Sequence, residues 1–140
     1  MEGTNKTREE HLEDFHVAFG AAINAEPTAY LLRSRKTLIE EETKELFAEI
    51  DTAVSYLEKS EEVPRAVYQA MLKELADVQV VISGLSVGLK PLYQKLEKAF
   101  RLVHASNMSK MGEDGKPIVR EDGKILKGPH YSPPDLSGLV

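Results

Sequence analysis

The sequence contains no cysteine among its 140 residues. This absence excludes a disulfide framework, a zinc site with thiolate ligands and a cysteine nucleophile. Any metal must therefore be held by oxygen or imidazole ligands. The sequence also has no run of about 18 apolar residues, which a membrane-spanning helix needs, and its charged beginning, MEGTNKTREEHLEDF, is unlike a secretory signal. We therefore expect no membrane partner and a cytoplasmic location.

An excess of basic residues is missing as well. Lysine and arginine number 18 against 23 aspartate and glutamate residues, which gives a formal net charge of -5. Proteins that bind bulk nucleic acid neutralise its phosphates with a basic face, so we expect no nucleic acid partner. A small anionic substrate remains compatible with this charge if metal ions or a few placed cations offset it.

Apolar residues at helical spacing predict four helices, over residues 7–25, 28–59 and 64–88 and from Pro91 to about Met111. The middle of the third, VQVVISGL, is apolar on almost every side, which is typical of a bundle centre or a subunit interface. We therefore expect a homodimer, or a homotetramer made of two dimers.

The composition changes at Gly112. Two Asp-Gly turns flank PIVR and are followed by KILKG, a pattern that predicts a β-hairpin, and PHYSPPDLSGLV then reads as an extended tail. The predicted fold is all-α: a four-helix bundle forms a helical domain over residues 1–111, and the hairpin and tail of 112–140 pack on the same domain.

Acidic residues occupy positions of the second and third helices that the apolar pattern assigns to the core. Glu42 and Glu45 interrupt the stripe of the second helix, and Glu74 interrupts that of the third. An EExxE run alone is commonly a solvated helix face. The apolar surroundings of the second acidic pair, in ELADVQVVISGL, favour a buried site, where divalent cations would offset the cost of several carboxylates. The proposed metal ligands are Glu41, Glu42, Glu45, Glu74 and Asp77.

The segments EEETKEL and KELADVQVV resemble the EExxE and ExxD motifs of MazG-type all-α nucleoside triphosphate pyrophosphohydrolases. That superfamily includes dimeric dUTPases and phosphoribosyl-ATP pyrophosphohydrolases. FHVAFGAAI, VHASNMSK and DGKILKGPHYSPPDL also look like small MazG-like members, so the resemblance covers nearly the whole chain. It implies hydrolysis of a nucleoside triphosphate between its α and β phosphates, with Mg²⁺ as cofactor and Mn²⁺ as a substitute. Glu42 or Glu45 would take the proton of the attacking water.

The same resemblance suggests which side chains contact the substrate. Residues of these types also have structural roles that involve no substrate. A lysine near a helix C-terminus can offset the helix dipole, lysines on a turn can increase solubility, and aromatic residues can pack in the core. The candidate phosphate-binding residues are Asn107, Lys110, Lys124 and Lys127, and the candidate base-binding residues are His16, Phe19, Gly20 and Tyr131.

Two other classes of protein remain open. A carboxylate-bridged di-iron bundle uses two Glu-x-x-His motifs, and only Glu13 to His16 has that spacing here. A helical interaction module would leave Glu74 and Asp77 without a role. The sequence leaves the preferred nucleotide open, since the superfamily acts on dUTP, dCTP, guanine nucleotides and damaged bases.

Overall fold

The computed structural model describes residues 5–140, and within them it confirms the all-α class. Its helices are α1 (Arg8–Phe19), α2 (Ala29–Glu58), α3 (Arg65–Gly88) and α4 (Leu96–Met108), with a 3-10 turn at Lys90–Leu92. The chain divides into two compact units, the first ending at Gln94 and the second comprising Lys95–Val140. This division groups α4 with the tail, whereas the sequence prediction grouped it with the other helices. Within residues 5–140, no helix has the length and apolar character needed to cross a membrane.

Helix α1 is shorter than predicted because a glycine ends it. It begins with a capping box, in which the Thr7 side chain accepts from the Glu10 N–H and the Glu10 side chain accepts from the Thr7 N–H. Gly20 then has a φ of 71°, a left-handed conformation that lacks a steric penalty only in glycine. The helix therefore stops well before the predicted end at residue 25.

The segment that follows α1 pairs with the end of α3. The N–H of Asn24 donates to the carbonyl of Val87 at 2.8 Å, and the N–H of Ala25 donates to that of Gly88 at 2.9 Å. The Lys90 N–H in turn donates to the Ala25 carbonyl at 2.8 Å. These bonds satisfy backbone groups that a longer α1 would have used within the helix.

Helices α2 and α3 form the frame of the first unit. The Thr28 side chain caps α2 by accepting from the Leu31 N–H, and Pro64 stands at the N-cap of α3. Helix α3 contacts both α2 and α1. Its second half is the most buried part of the unit, and it contains small residues that let neighbouring elements approach closely, namely Ser83, Gly84, Ser86 and Gly88.

The predicted β-hairpin does not form as a pair of strands in the described residues. Both Asp-Gly turns are present, since Gly115 and Gly123 have φ values of 74° and 89°. Only a single antiparallel bridge, between Val119 and Ile125, joins the two arms. Both of these side chains are more than half exposed, so no apolar face stabilises a longer ladder. The two turns are present as predicted, and the two strands of the predicted hairpin are not found in this segment.

The C-terminal segment is anchored to the end of α4 within the second unit. The Gly128 N–H donates to the Lys110 carbonyl at 2.8 Å, and the Ser132 N–H donates to Ser109 Oγ at 2.9 Å. A Cβ added at Gly128 would lie 2.2 Å from the Met111 carbonyl oxygen. The close approach of the two backbone segments therefore requires glycine at this position.

Gly128→Ala is expected to loosen the second unit, because the new methyl group must displace backbone atoms. Overpacking of this kind costs about 1–3 kcal/mol. Hydrogen exchange should show faster exchange at residues 109–111 and 128–132. Gly138→Ala is the matched control, since a Cβ there meets nothing within 4 Å. Equal exchange in the two variants would contradict the anchoring role of Gly128.

Candidate metal site

Four carboxylates converge between α2 and α3. Each helix contributes two acids separated by three residues, a spacing that places both on one helical face. Glu42 and Glu45 from α2 and Glu74 and Asp77 from α3 each offer an oxygen atom, and these four atoms lie within 4.8 Å of one another. The structure therefore brings together four of the five acids that the sequence singles out.

Two of the carboxylate oxygens in this cluster have no hydrogen-bond donor. Oε2 of Glu42 and Oε2 of Glu74 are buried and without a partner in the part of the chain that the structure describes. Glu74 is only 9% exposed. A buried carboxylate oxygen that has lost water without gaining a donor is costly, so the arrangement favours a bound cation.

The pKa of Glu42 reflects the same crowding. Partial burial raises the pKa of its carboxyl group, and the negative charges of Glu45, Asp77 and Glu74 raise it further. Like charges this close make ionisation of the whole cluster unfavourable unless a cation is present. The same shift brings Glu42 nearer to the range in which a carboxylate accepts protons efficiently near neutral pH.

Lys73 lies at the edge of the cluster and neutralises part of its charge. Its ammonium group is 2.9 Å from Asp77 Oδ2 and 3.3 Å from Glu74 Oε1, and the hydrogen bond to Asp77, followed by that to Glu74, raises the pKa of Lys73. Sequence analysis gave Lys73 no role. The signal that points to it is its spacing of four residues from Asp77, which is typical of an ion pair along a helix.

The donor set fits a hard divalent cation. All four groups are carboxylates, which Mg²⁺ and Mn²⁺ prefer, and the cluster contains no imidazole. The ligands Glu42, Glu45, Glu74 and Asp77 would thus hold the ion, leaving room for water and substrate oxygens as its other ligands.

Glu41 lies outside this cluster. Its side chain is exposed, and it lines a shallow depression on α2 together with Lys44 and Phe47. Its assignment as a fifth metal ligand stays a prediction.

The predicted phosphate-binding residues all belong to the second unit. Asn107 and Lys124 are exposed, and Lys110 is half-buried beside the anchored tail. The Lys127 ammonium lies 4.8 Å from the centroid of the Tyr131 ring, in a cation–π contact. These positions leave the lysines accessible to an anion, and their binding roles stay predictions.

The predicted base-binding residues of α1 differ widely in exposure. Phe19 is exposed and packs against Phe15 with ring centroids 4.8 Å apart, and Gly20 ends the helix in open space. His16 is 2% exposed, with Nδ1 2.8 Å from the Ala22 carbonyl oxygen and Nε2 3.4 Å from Nη2 of Arg35. Both imidazole nitrogens of His16 therefore already have partners within the protein.

Comparison with models of known protein families gives no match, and comparison with curated proteins finds no similar sequence. The function must therefore be argued from the motif resemblance and from the geometry of the carboxylate cluster.

Glu42→Gln is expected to change how the stability of the metal-free protein depends on pH. Because the folded-state pKa of Glu42 is raised above its ordinary value of 4.5, its stabilising contribution is present below that value and is lost as pH rises through the folded-state pKa. Urea unfolding in the presence of a chelator should therefore show that the wild type loses stability relative to Glu42→Gln as pH rises from about 4 to about 7.

Glu40→Gln is the matched control for this measurement, because Glu40 is exposed and forms a salt bridge along the helix with Lys36, at 3.5 Å. Its stability should follow the wild-type pH dependence closely. A wild-type curve that stays parallel to that of Glu42→Gln would contradict the crowding of charge at Glu42.

Proposed function

We propose that this protein is a Mg²⁺-dependent nucleoside triphosphate pyrophosphohydrolase of the MazG type, with Mn²⁺ able to replace Mg²⁺. The observation that carries the proposal is the convergence of Glu42, Glu45, Glu74 and Asp77, two of which have buried oxygens without donors. The motif resemblance supplies the reaction, and the carboxylate chemistry supports the cofactor.

In the proposed reaction the oxygen of a water molecule attacks one of the two phosphorus atoms joined by the oxygen that bridges the α and β phosphates. A bond forms between the water oxygen and that phosphorus, and the bond between the bridging oxygen and the same phosphorus breaks. The water proton passes to a carboxylate, and the products are a nucleoside monophosphate and pyrophosphate. The bound cation would neutralise phosphate charge and lower the pKa of the attacking water. Glu42 is the preferred proton acceptor because its raised pKa suits that role, and Glu45 is the second candidate.

Lys73 has a distinct role in this proposal. Its side chain is two-thirds exposed, so its ammonium group can leave Glu74 and Asp77 when a divalent cation takes its place. The long, flexible stem of lysine then allows the charge to turn towards solvent or a phosphate.

Substrate contacts complete the proposal. Asn107, Lys110, Lys124 and Lys127 are proposed to bind phosphates, and Phe19, Gly20 and Tyr131 are proposed to shape the base site. His16 is left out of the proposed base site, because it is buried and both of its ring nitrogens have partners within the protein. The four-helix MazG arrangement, which includes α4, belongs to the same proposal. The exposure of Lys124 and Lys127 supports the phosphate contacts.

The di-iron alternative has little support among the described residues. The Glu13 carboxylate accepts from the Tyr93 hydroxyl, and His16 is bonded to Ala22, so neither belongs to the four-carboxylate cluster. Metal analysis of the purified protein distinguishes a di-iron protein from the proposed hydrolase, because only the di-iron protein requires bound iron.

Glu74→Ala is expected to abolish pyrophosphate release from every (deoxy)nucleoside triphosphate in a panel of canonical, deaminated and oxidised substrates, because it removes a carboxylate of the cluster. It should also remove the rise in melting temperature that Mg²⁺ or Mn²⁺ gives to the wild type by binding the folded state. Glu40→Ala should retain both properties. Bound iron and no hydrolysis across the panel would contradict the proposal.

We further propose that the protein is a homodimer, or a homotetramer built from two dimers. Helix α2 exposes Ile50, Val54 and Leu57 at helical spacing, and Leu57 is 59% exposed. Helix α3 likewise exposes Tyr68, Leu72 and Leu75, and Leu72 is 69% exposed. Stripes of this kind on neighbouring helices are typical of surfaces that a partner covers, and a second copy offers complementary apolar stripes.

Leu72→Glu is expected to weaken self-association, because it places a charge in the apolar stripe of α3. Sedimentation at about micromolar protein, within the usual range for stable dimers, should show a shift towards monomer. Val140→Glu is the control, since Val140 is equally exposed but lies at the chain end. A wild-type monomer under these conditions would contradict the proposal.

A further inference from the structure

Arg35 of α2 carries a charge that no carboxylate balances in the described residues. Its Nη2 has one hydrogen-bond partner, Nε2 of His16 at 3.4 Å, and its Nε is buried without any partner. Burial alone lowers the pKa of its guanidinium, with no contribution from a nearby acid. A buried or half-buried arginine normally satisfies its donors or pairs with an acid.

His16 and Gly84 fix the position of this guanidinium. A guanidinium can only donate, so Nε2 of His16 accepts from Arg35 and Nδ1 donates to the Ala22 carbonyl. Burial lowers the pKa of His16, the hydrogen bond to Ala22 opposes this shift, and the charge of Arg35 adds to it. On α3, a Cβ at Gly84 would lie 2.1 Å from Nη2 of Arg35. The absence of a side chain at Gly84 therefore creates the space that the guanidinium fills.

The guanidinium shares the α2–α3 seam with the carboxylate cluster. Seven residues, or two helical turns, separate Arg35 from Glu42, and the same interval separates Asp77 from Gly84. The contact of Arg35 with Gly84 and the cluster of Glu42 with Asp77 thus lie on matching faces, about 10 Å apart along the helices. The contact between α2 and α3 therefore carries the carboxylate cluster at one end and the guanidinium of Arg35 at the other.

A purely structural role explains this arrangement poorly. An uncompensated charge that has lost water destabilises the folded state, and an apolar side chain of similar volume would fill the space next to Gly84 at lower cost. An anion delivered by a ligand to the accessible part of the guanidinium would balance the charge. The planar guanidinium fork matches the oxygens of a phosphate group.

We propose that Arg35 binds the β and γ phosphates of the substrate, which leave together as pyrophosphate, and that His16 is its positioning residue. The identity of the ligand rests on the proposed function, since the triphosphate would bridge the metal end of the seam and Arg35. When water attacks the α phosphorus, charge develops on the leaving pyrophosphate, and a fixed guanidinium stabilises that charge.

The test measures binding without turnover. Calorimetry with inorganic pyrophosphate, in Ca²⁺ instead of Mg²⁺, compares the wild type with Arg35→Met and with the matched control Arg33→Met, whose arginine is exposed on the same helix. Arg35→Met should weaken pyrophosphate binding about tenfold or more, as expected for loss of a charge-assisted hydrogen bond. Arg33→Met and the affinity for Ca²⁺ alone should be unchanged.

Further measurements separate binding from structure. Arg35→Lys, which keeps the charge but loses the fork, should bind pyrophosphate with an affinity between those of the wild type and Arg35→Met. The melting temperature of ligand-free Arg35→Met should equal or exceed that of the wild type, because an unbalanced charge is removed. A large fall in melting temperature, or failure of the variant to fold, would assign Arg35 a structural role and overturn the proposal.

Failure of the proposed role of Arg35 can be distinguished from failure of the hydrolase proposal. Unchanged pyrophosphate affinity in Arg35→Met, or no pyrophosphate binding by the wild type, overturns the role of Arg35 even if nucleotides are hydrolysed. An equal loss of affinity for nucleoside monophosphates would place the contact at the nucleoside end and also overturn it. Binding of pyrophosphate that depends on Arg35, in a protein that hydrolyses no nucleotide, would instead refute the hydrolase proposal alone.

Discussion

The mutual repulsion of four carboxylates between α2 and α3 is the constraint on which the first unit depends. Helical packing holds Glu42 and Glu45 opposite Glu74 and Asp77, although their charges favour separation. The buried second half of α3 and its backbone bonds to residues 24, 25 and 90 stabilise that packing from one end. The fold thus maintains an electrostatically unfavourable arrangement whose relief requires positive charge.

The sequence predicted the helical class, the approximate limits of α2 and α3 and the grouping of the acids. It could do so because residues three or four positions apart lie on the same face of a helix. Acidic residues at positions that the apolar pattern assigns to the core indicated the carboxylate cluster for the same reason. The early end of α1 was less accessible, since a glycine at residue 20 can also lie within a helix. Its left-handed conformation is selected by long-range bonds between residues 24–25 and the end of α3, which local sequence does not encode.

Other features depend on tertiary context in a similar way. Asp-Gly turns encode the bends at Gly115 and Gly123, but a strand ladder also needs an apolar surface to cover, and Val119 and Ile125 lack one in their own unit. Arg35 could not be distinguished from any other helix arginine until Gly84 and His16 were seen to enclose it. The role of such a charged residue becomes apparent only when the structure shows that no oppositely charged group lies near it.

Lys73 supplies an internal counterion for the four-carboxylate cluster. Its ammonium group lies at the edge of the four-carboxylate cluster and forms salt bridges to Glu74 and Asp77. A divalent cation that bound these acids would therefore replace an internal counterion. The affinity of the cluster for any such cation would then depend on competition between this ammonium group and the ions in solution.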